Sequence, residues 1–284
     1  MIPAGRPFYK MSGSGNDFVM IDARIEPPGP LADPRNVQRI CARATGVGAD
    51  GIVFLEPSSR ADIRLNYLNA DGSPADLCGN ATLCTTRLAV ELGMANSAGF
   101  GIETPSGIVR ARIDADLPAI DLQPVTDVRK SADGIEPAVG EKRVGFALVG
   151  VPHIVILCDD VATVDVVGRG RRLRHHPTMH QGANVNFVAR GSQGRWRMRT
   201  YERGVEAETL ACGSGSVASA ILLSAWGETD GAELVGEANA GRPTELETSS
   251  GRILRVRLRW QADAWLPTLS GEGRVVFQGT LAEI

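Results

Sequence analysis

The sequence predicts an α+β protein of two pseudo-symmetric domains, each a curled, mostly antiparallel β-sheet or barrel around one central α-helix, with the active site in the cleft between them. Three observations carry this expectation. First, the chain repeats itself: Cys78-Gly79 and Cys212-Gly213 lie 134 residues apart, and so do Gly48 of Gly48-Ala-Asp-Gly-Ile-Val-Phe54 and Gly182 of Gly182-Ala-Asn-Val-Asn-Phe-Val188. Glu103-Thr-Pro-Ser-Gly107 returns as Glu247-Thr-Ser-Ser-Gly251 at a spacing of 144, which fits an insertion in the 227–239 loop, and residues 16–21 have a weaker partner in residues 152–157. Second, an apolar run of helical length follows each Cys-Gly. In the second run Val217, Ala218, Ile221, Leu222 and Ala225 leave few polar positions, so that helix is surrounded rather than laid on a surface. Third, most of the remaining periodic stretches are short strand patterns. A sheet that wraps one apolar helix must curl towards closure, and two such units side by side leave a cleft. The expected divisions are 1–120, 121–270 and a terminal segment, 271–284, that returns to the N-terminal half.

In chain order, residues 8–22 are two apolar runs joined by a Gly-Ser-Gly turn, the pattern of a hairpin, with Asn16 just past the turn. A helix follows over 34–44, with Pro34 near its start and Val37, Ile40 and Cys41 on one face. Strands are expected at 52–55 and 63–68, the first central helix at 80–92 with Gly93 as its left-handed cap, and a strand through Val109, Ala111 and Ile113. Residues 115–142 read as strand, loop and linker. The second half repeats the order: strands at 147–149, 154–157, 185–188 and 196–200, a helix over 214–226 closed by Gly227, and a strand in which Leu254, Val256, Leu258 and Trp260 alternate with arginines.

Composition excludes several classes. No run of 18 apolar residues and no basic-then-apolar amino terminus is present, so neither a membrane span nor a signal peptide is expected and the cytoplasm is the default location. Five cysteines, 41, 78, 84, 158 and 212, suit reduced thiols better than a disulfide framework. A net charge of −3 argues against a nucleic-acid partner, and the basic run 169–176 reads as a solvated face. His176 and His180 are spaced i, i+4, but no further ligand accompanies them, so no metal is expected. Three lysines, Lys10, Lys130 and Lys142, give a pyridoxal phosphate anchor little support, and the Gly-Ser-Gly turns lack a dinucleotide or Walker pattern.

The chemistry is read from the repeated turn. A cysteine at the mouth of a helix faces unpaired N–H groups and the positive end of the macrodipole, which favour thiolate over thiol. Inverting a carbon next to a carboxylate needs a base on one face and an acid on the other, and two cysteines across a cleft meet that need without a cofactor. Backbone donors at Gly79, Asn80, Gly213 and Ser214 are placed to hold the charge that spreads onto the carboxylate.

Met11-Ser-Gly-Ser-Gly-Asn-Asp-Phe18, Asn69-Ala-Asp-Gly-Ser73, Cys78-Gly-Asn80, Pro152-His153, Asn184-Val-Asn-Phe187, Glu202-Arg-Gly204 and Ala211-Cys-Gly-Ser-Gly215, in this order, resemble diaminopimelate epimerase, within the cofactor-independent amino-acid racemase superfamily. The resemblance covers nearly the whole chain. It implies Cys78 and Cys212 as the acid/base pair, with Gly79, Asn80, Gly213 and Ser214 gripping the carboxylate at the reacting centre. Asn16, Asn69, Asn184, Glu202 and Arg203 would contact substrate, Arg203 at the distal carboxylate, while His153 and Glu202 match positions that tune the thiols. It implies no metal, no cofactor, a small amino-acid substrate, and it allows a homodimer. The sequence departs from the family pattern at Val151, where an asparagine often precedes Pro-His, at Gly51, where a glutamine sometimes stands, and at Ala81 and Leu83. These departures bear on substrate and keep open a racemase of another amino acid, such as histidine. A dithiol redox protein and a non-catalytic binding module are the readings from other classes.

Overall fold

The computed structural model describes residues 5–75, 77–191, 194–229 and 242–283. The chain starts with β1 (Pro7–Gly13), β2 (Asn16–Asp22), α1 (Pro34–Cys41), β3 (Gly51–Glu56), β4 (Ile63–Asn69) and α2 (Gly79–Glu91). Then come β5 (Phe100–Thr104), β6 (Gly107–Asp114), β7 (Leu117–Asp121) and β8 (Val128–Arg129). It continues through β9 (Glu141–Val149), β10 (Val151–Cys158), α3 (Val166–Arg174), β11 (Asn184–Arg190), β12 (Trp196–Glu202) and β13 (Ala207–Thr209). The last elements are α4 (Gly213–Ala225), β14 (Thr244–Glu247), β15 (Ile253–Gln261), β16 (Ala264–Ser270) and β17 (Arg274–Thr280). Contacts divide the chain into two compact units, residues 1–120 with 270–284, and residues 121–269.

In the first unit the strand order is β17-β1-β2-β3-β4-β5-β6, with β2–β3 and β4–β5 parallel and the other described pairs antiparallel. Each parallel pair sits where a helix supplies the crossover that parallel strands need, α1 for the first and α2 for the second. The second unit repeats the scheme as β8-β9-β10-β11-β12-β14-β15, parallel at β10–β11 and β12–β14, with α3 and α4 as the crossovers. Each unit is therefore a curled mixed sheet. Helix α2 packs against β1, β2, β4, β6 and β17, and α4 against β9, β10, β11 and β15.

Sheet strands with a helix on either side are buried on both faces, so they read as continuous apolar runs rather than alternating ones. Val19, Ile21, Ile52 and Phe54 join Val37 and Ile40 of α1 in one core, and Leu281 closes it from the far end of the chain. The neighbouring Phe18, Met20, Val53 and Leu55, of opposite parity along the same strands, are equally buried. In the second unit Ile154, Ile156, Val185 and Phe187 pack with Val166 and Leu173 of α3. Along α4, Val217, Ile221 and Leu222 are wholly buried, each stabilising by about 1.5–3 kcal/mol.

The two central helices start and stop alike. The carbonyls of Cys78 and Cys212 accept from the N–H groups of Thr82 and Ser216 at 2.9 and 3.0 Å, and from their hydroxyls at 2.9 Å in both cases. Both end on a left-handed glycine, Gly93 at φ 64° and Gly227 at φ 77°, with Met94 N–H bonded to the Ala89 carbonyl and Glu228 N–H to that of Leu223. The repeat is offset by 134 at every one of these positions. Elsewhere it slips: Gly51 pairs with Phe18 and Asn184 with His153, and in both units the following residue turns to the outer core, so Gly51 and Asn184 are counterparts at a spacing of 133. Asp50 is the residue the first unit has in addition. The insertion expected at 227–239 falls largely on residues 230–241, outside the described residues.

The basic run 169–176 is mostly helix α3, anchored through buried Val166 and Leu173 and through Gly170, where a Cβ would lie 2.4 Å from Tyr201. His176 lies past the end of that helix, its Nδ1 2.8 Å from Thr178 Oγ1.

Candidate active site

In the first unit, Cys78 is the N-cap of α2 at φ −122°, ψ 112°, half-buried and with the first turn of the helix directly behind it. The end of β1 presses against that turn. A Cβ on Gly13 would lie 2.8 Å from the Asn80 carbonyl oxygen and 2.9 Å from Cys84 Sγ, which is why the hairpin motif carries glycine there. The close approach brings Asn16 to the helix start. Asn80 Nδ2 donates to Asn16 Oδ1 at 2.6 Å, and Asn16 Nδ2 donates to Asp50 Oδ2 at 3.0 Å. Arg43 clamps Asp17 at 2.8 and 2.9 Å and Asp50 at 2.7 Å, while Lys10 pairs with Asp17 at 2.6 Å and donates to the Gly48 carbonyl. Burial pushes the Asp17 carboxyl up, but hydrogen bonds from Arg43 and Lys10 outweigh it and hold the group below the usual carboxylate range.

Asn69 closes β4 in a turn, its N–H donating to the Ser73 carbonyl at 2.9 Å and its Nδ2 to Ser73 Oγ at 3.1 Å. Gly51 is paired with Asn69 across β3 and β4. No side chain fits at Gly51, because a Cβ there would lie 2.4 Å from the Tyr67 ring. Tyr67, packed edge-on against Phe18, fills the space instead.

In the second unit Cys212 caps α4 at φ −135°, ψ 111° and is 6% exposed. Its Sγ accepts from Gly215 N–H at 3.3 Å and lies 3.6 Å from Ser214 Oγ, at the start of the helix. Asn184 Oδ1 accepts from the Arg203 N–H at 2.8 Å and so fixes the chain where Glu202 ends β12, and Arg203 Nη1 donates to the Gln181 carbonyl at 3.1 Å. His153, 0% exposed, is paired with Asn184 across β10 and β11. Burial, helped by the Arg203 charge, pushes its pKa down to about 3, so the ring is neutral.

Each unit thus gathers a cluster of candidate residues within itself: Cys78, Gly79, Asn80 and Asn16 at the mouth of α2, and Cys212, Gly213, Ser214, His153, Asn184 and Arg203 near the mouth of α4. Among the described residues no group of three His, Cys, Asp or Glu side chains is placed to hold a metal. Two members escaped the sequence reading. Asp50, which holds Asn16, stands in the Gly-Ala-Asp-Gly stretch as an ordinary loop carboxylate. Asn186, 0% exposed and bonded to His153, Ile154 and Thr200, is a polar residue inside the apolar strand β11, and that was the available signal.

The other cysteines differ in kind. Burial pushes Cys41 and Cys158 up to about 12 and Cys84 well above the ordinary thiol value. A shift of this size lowers the thiolate fraction at neutral pH by about 10³. Brief treatment of the folded protein with iodoacetamide, followed by peptide mass mapping, is expected to label Cys78 first and Cys212 more slowly, and to leave 41, 84 and 158 unmodified until urea is added. His153 gives a second expectation. Its folded pKa lies below the ordinary value, so the stability it contributes is complete above about pH 6.5 and is lost as pH falls towards 3, by up to about 1.4 kcal/mol per pH unit. Urea melts at stepped pH should show a shallower acid slope for His153→Gln than for the parent.

Among solved structures, the chain shares its fold with a PhzF-family phenazine biosynthesis protein from Bacillus anthracis, with a TM-score of 0.71 at 14% identity over 99% of this chain and 100% of that one. It shares it equally with a hydroxyproline epimerase from Agrobacterium vitis, with a TM-score of 0.67 at 18% identity over 99% and 93%. The fold is therefore of the class that these two proteins share. The family model of diaminopimelate epimerase matches residues 8–126 and 145–253, and the diaminopimelate epimerase of Gemmatimonas aurantiaca is 48% identical over 283 residues, 97% of this chain and 99% of that protein. The chain belongs to the diaminopimelate epimerase family, a family of isomerases.

Proposed function

We propose that the protein interconverts LL- and meso-diaminopimelate by moving a proton at one α-carbon between Cys78 and Cys212, without a cofactor. The observation that carries this reading is the doubled cap: two cysteines in the same extended N-cap conformation, on corresponding helices of two units with the same topology, in a chain of this family. One cysteine enters as thiolate and takes the α-proton; the other, as thiol, returns a proton to the opposite face. After the reaction the two have exchanged states and atoms balance. Charge on the deprotonated substrate spreads into its carboxylate. The first N–H groups of a helix have no intrahelical acceptor, so Gly79, Asn80, Gly213 and Ser214 are the donors to receive it.

Arg203 is the partner for the distal carboxylate because its fork can bind both oxygens. Asn16, Asn69 and Asn184 are held by neighbours and so present their remaining polar atoms in fixed directions, with Glu202 beside Arg203 at the end of β12. The reaction belongs to the supply of lysine and of peptidoglycan precursors, and a cytoplasmic setting fits it.

The test is proton NMR of LL-diaminopimelate with enzyme in heavy water, run beside L-histidine. Loss of the α-proton signal with appearance of the meso isomer supports the proposal. Exchange in histidine alone keeps the chemistry and moves the substrate, and no exchange in either overturns it.

A further inference from the structure

We propose that Asn186 is a positioning residue that holds His153 as the neutral tautomer protonated at Nε2, so that His153 serves the reaction as a hydrogen-bond donor and not as a base; its bearing on catalysis rests on the epimerase reading above. The Ile154 carbonyl oxygen can only accept, and a side-chain atom of Asn186 lies 3.1 Å from it, so that atom is the amide nitrogen. The same nitrogen is 3.2 Å from His153 Nδ1. An amide nitrogen only donates, so Nδ1 must present its lone pair and the ring proton must sit on Nε2. Thr200 Oγ1 completes the arrangement by donating to Asn186 Oδ1 at 3.0 Å. Both amide hydrogens and the amide oxygen are then used, and the carboxamide has no second orientation of comparable energy.

His153 Nε2 is buried and meets no hydrogen-bond partner among the described residues. A buried donor left unmade costs about 1–3 kcal/mol, which an acceptor arriving with the substrate would recover. Strand parity puts this donor on the right side of the sheet: Ile154, Val185 and Phe187 face α3, so His153, Asn184 and Asn186 face α4. Asn186 also reaches the α4 cap itself, since a Cβ on Gly215 would lie 2.2 Å from its Oδ1, and Gly215 N–H is the donor to Cys212 Sγ. One carboxamide therefore sets the tautomer of the histidine and backs the turn that carries the thiol. With Nδ1 occupied and Nε2 already protonated, the ring has no lone pair to take a proton from a thiol.

The decisive measurement is the imidazole nitrogen NMR spectrum of protein labelled with 15N-histidine, the His153 signals among the four histidines being assigned with His153→Gln. The expected result is a protonated Nε2 and an unprotonated Nδ1 that do not change between about pH 8 and about pH 5. A proton on Nδ1, or an imidazolium at neutral pH, would overturn the proposal, and this readout does not depend on which substrate is turned over. Turnover gives the second arm. Glutamine keeps a donor near the place of Nε2 without basicity, so His153→Gln should retain kcat within about tenfold while His153→Leu falls by about 10² or more. Equal losses in both would sink the donor role. Asn186→Asp, whose carboxylate can only accept, should move the proton to Nδ1 in the spectrum and lower kcat; an unchanged spectrum would show that Asn186 does not set the tautomer.

Discussion

Replacing either Cys78 or Cys212 by alanine is expected to lower epimerisation by about 10²–10⁴-fold, the range lost when a positioned acid or base is removed. The loss should be chemical rather than structural. Cys78 is half-buried and Cys212 fills little volume, so each variant should melt within about 1–2 kcal/mol of the parent. The informative part is what survives. A protein with one thiol left can still take the α-proton from the face that thiol meets and return deuterium to the same face, so each variant should exchange the α-proton of one stereoisomer without inverting it, and the two variants should exchange opposite stereoisomers. Deuterium incorporation followed by chiral chromatography reads this directly. If either alanine variant still inverts at more than about a tenth of the parental rate, a two-thiol mechanism is wrong.

That prediction could be framed from residues alone because the cysteines advertise themselves twice. The repeat at 134 residues was legible since it coincides with the parts of the fold under the tightest local constraint, the caps of α2 and α4: cysteine, a hydroxyl four residues on, and a glycine at the left-handed stop. The limits of α2 and α4 were readable within a residue for the same reason, whereas α1, expected to run to residue 44, ends at Cys41, and α3 was hidden in what read only as a basic surface run. What the sequence concealed lies where the two units depart from one another. Gly48 and Gly182 keep the offset, but Asp50 is an added residue, and only the strand register shows that Gly51, and not Asp50, corresponds to Asn184. The consequence is chemical: the added carboxylate, braced by Arg43, is what holds Asn16. Gly51 looked like a missing ligand, whereas in the fold Tyr67 excludes any side chain there. That relation joins two strands and cannot be read from either. Asn186 was hidden by similar logic, because its role depends on a carbonyl and an imidazole brought to it by β10.

The cap of α4 gives the second large effect. Gly215→Ala adds a methyl group that would lie 2.2 Å from Asn186 Oδ1 and 3.1 Å from Cys212 Sγ. A flexible neighbour would yield, but the Asn186 carboxamide is tied to Thr200, Ile154 and His153 and has no room to turn. The helix start must move instead, and with it the N–H that bonds the thiol. Overpacking of this kind costs about 1–3 kcal/mol, and a shift of the cap by a fraction of an ångström should lower kcat by about 10². The first unit supplies the control. Its corresponding residue is Ala81, wholly buried, because Val53 takes the place that Asn186 holds in the second unit and brings no rigid polar head to the cap. Ala81→Gly should therefore cost only about 1 kcal/mol of helix propensity and leave turnover nearly unchanged. In the second unit, Gly215→Ala combined with Asn186→Ala should be more stable than the two single losses summed, by about 1 kcal/mol or more in a double-mutant cycle of urea melts, since the second change removes the atom that the first collides with. Stability would then return without activity, separating the space that Asn186 occupies from the hydrogen bonds it makes. Strict additivity would mean that the collision is relieved elsewhere and that glycine at 215 answers to something other than Asn186.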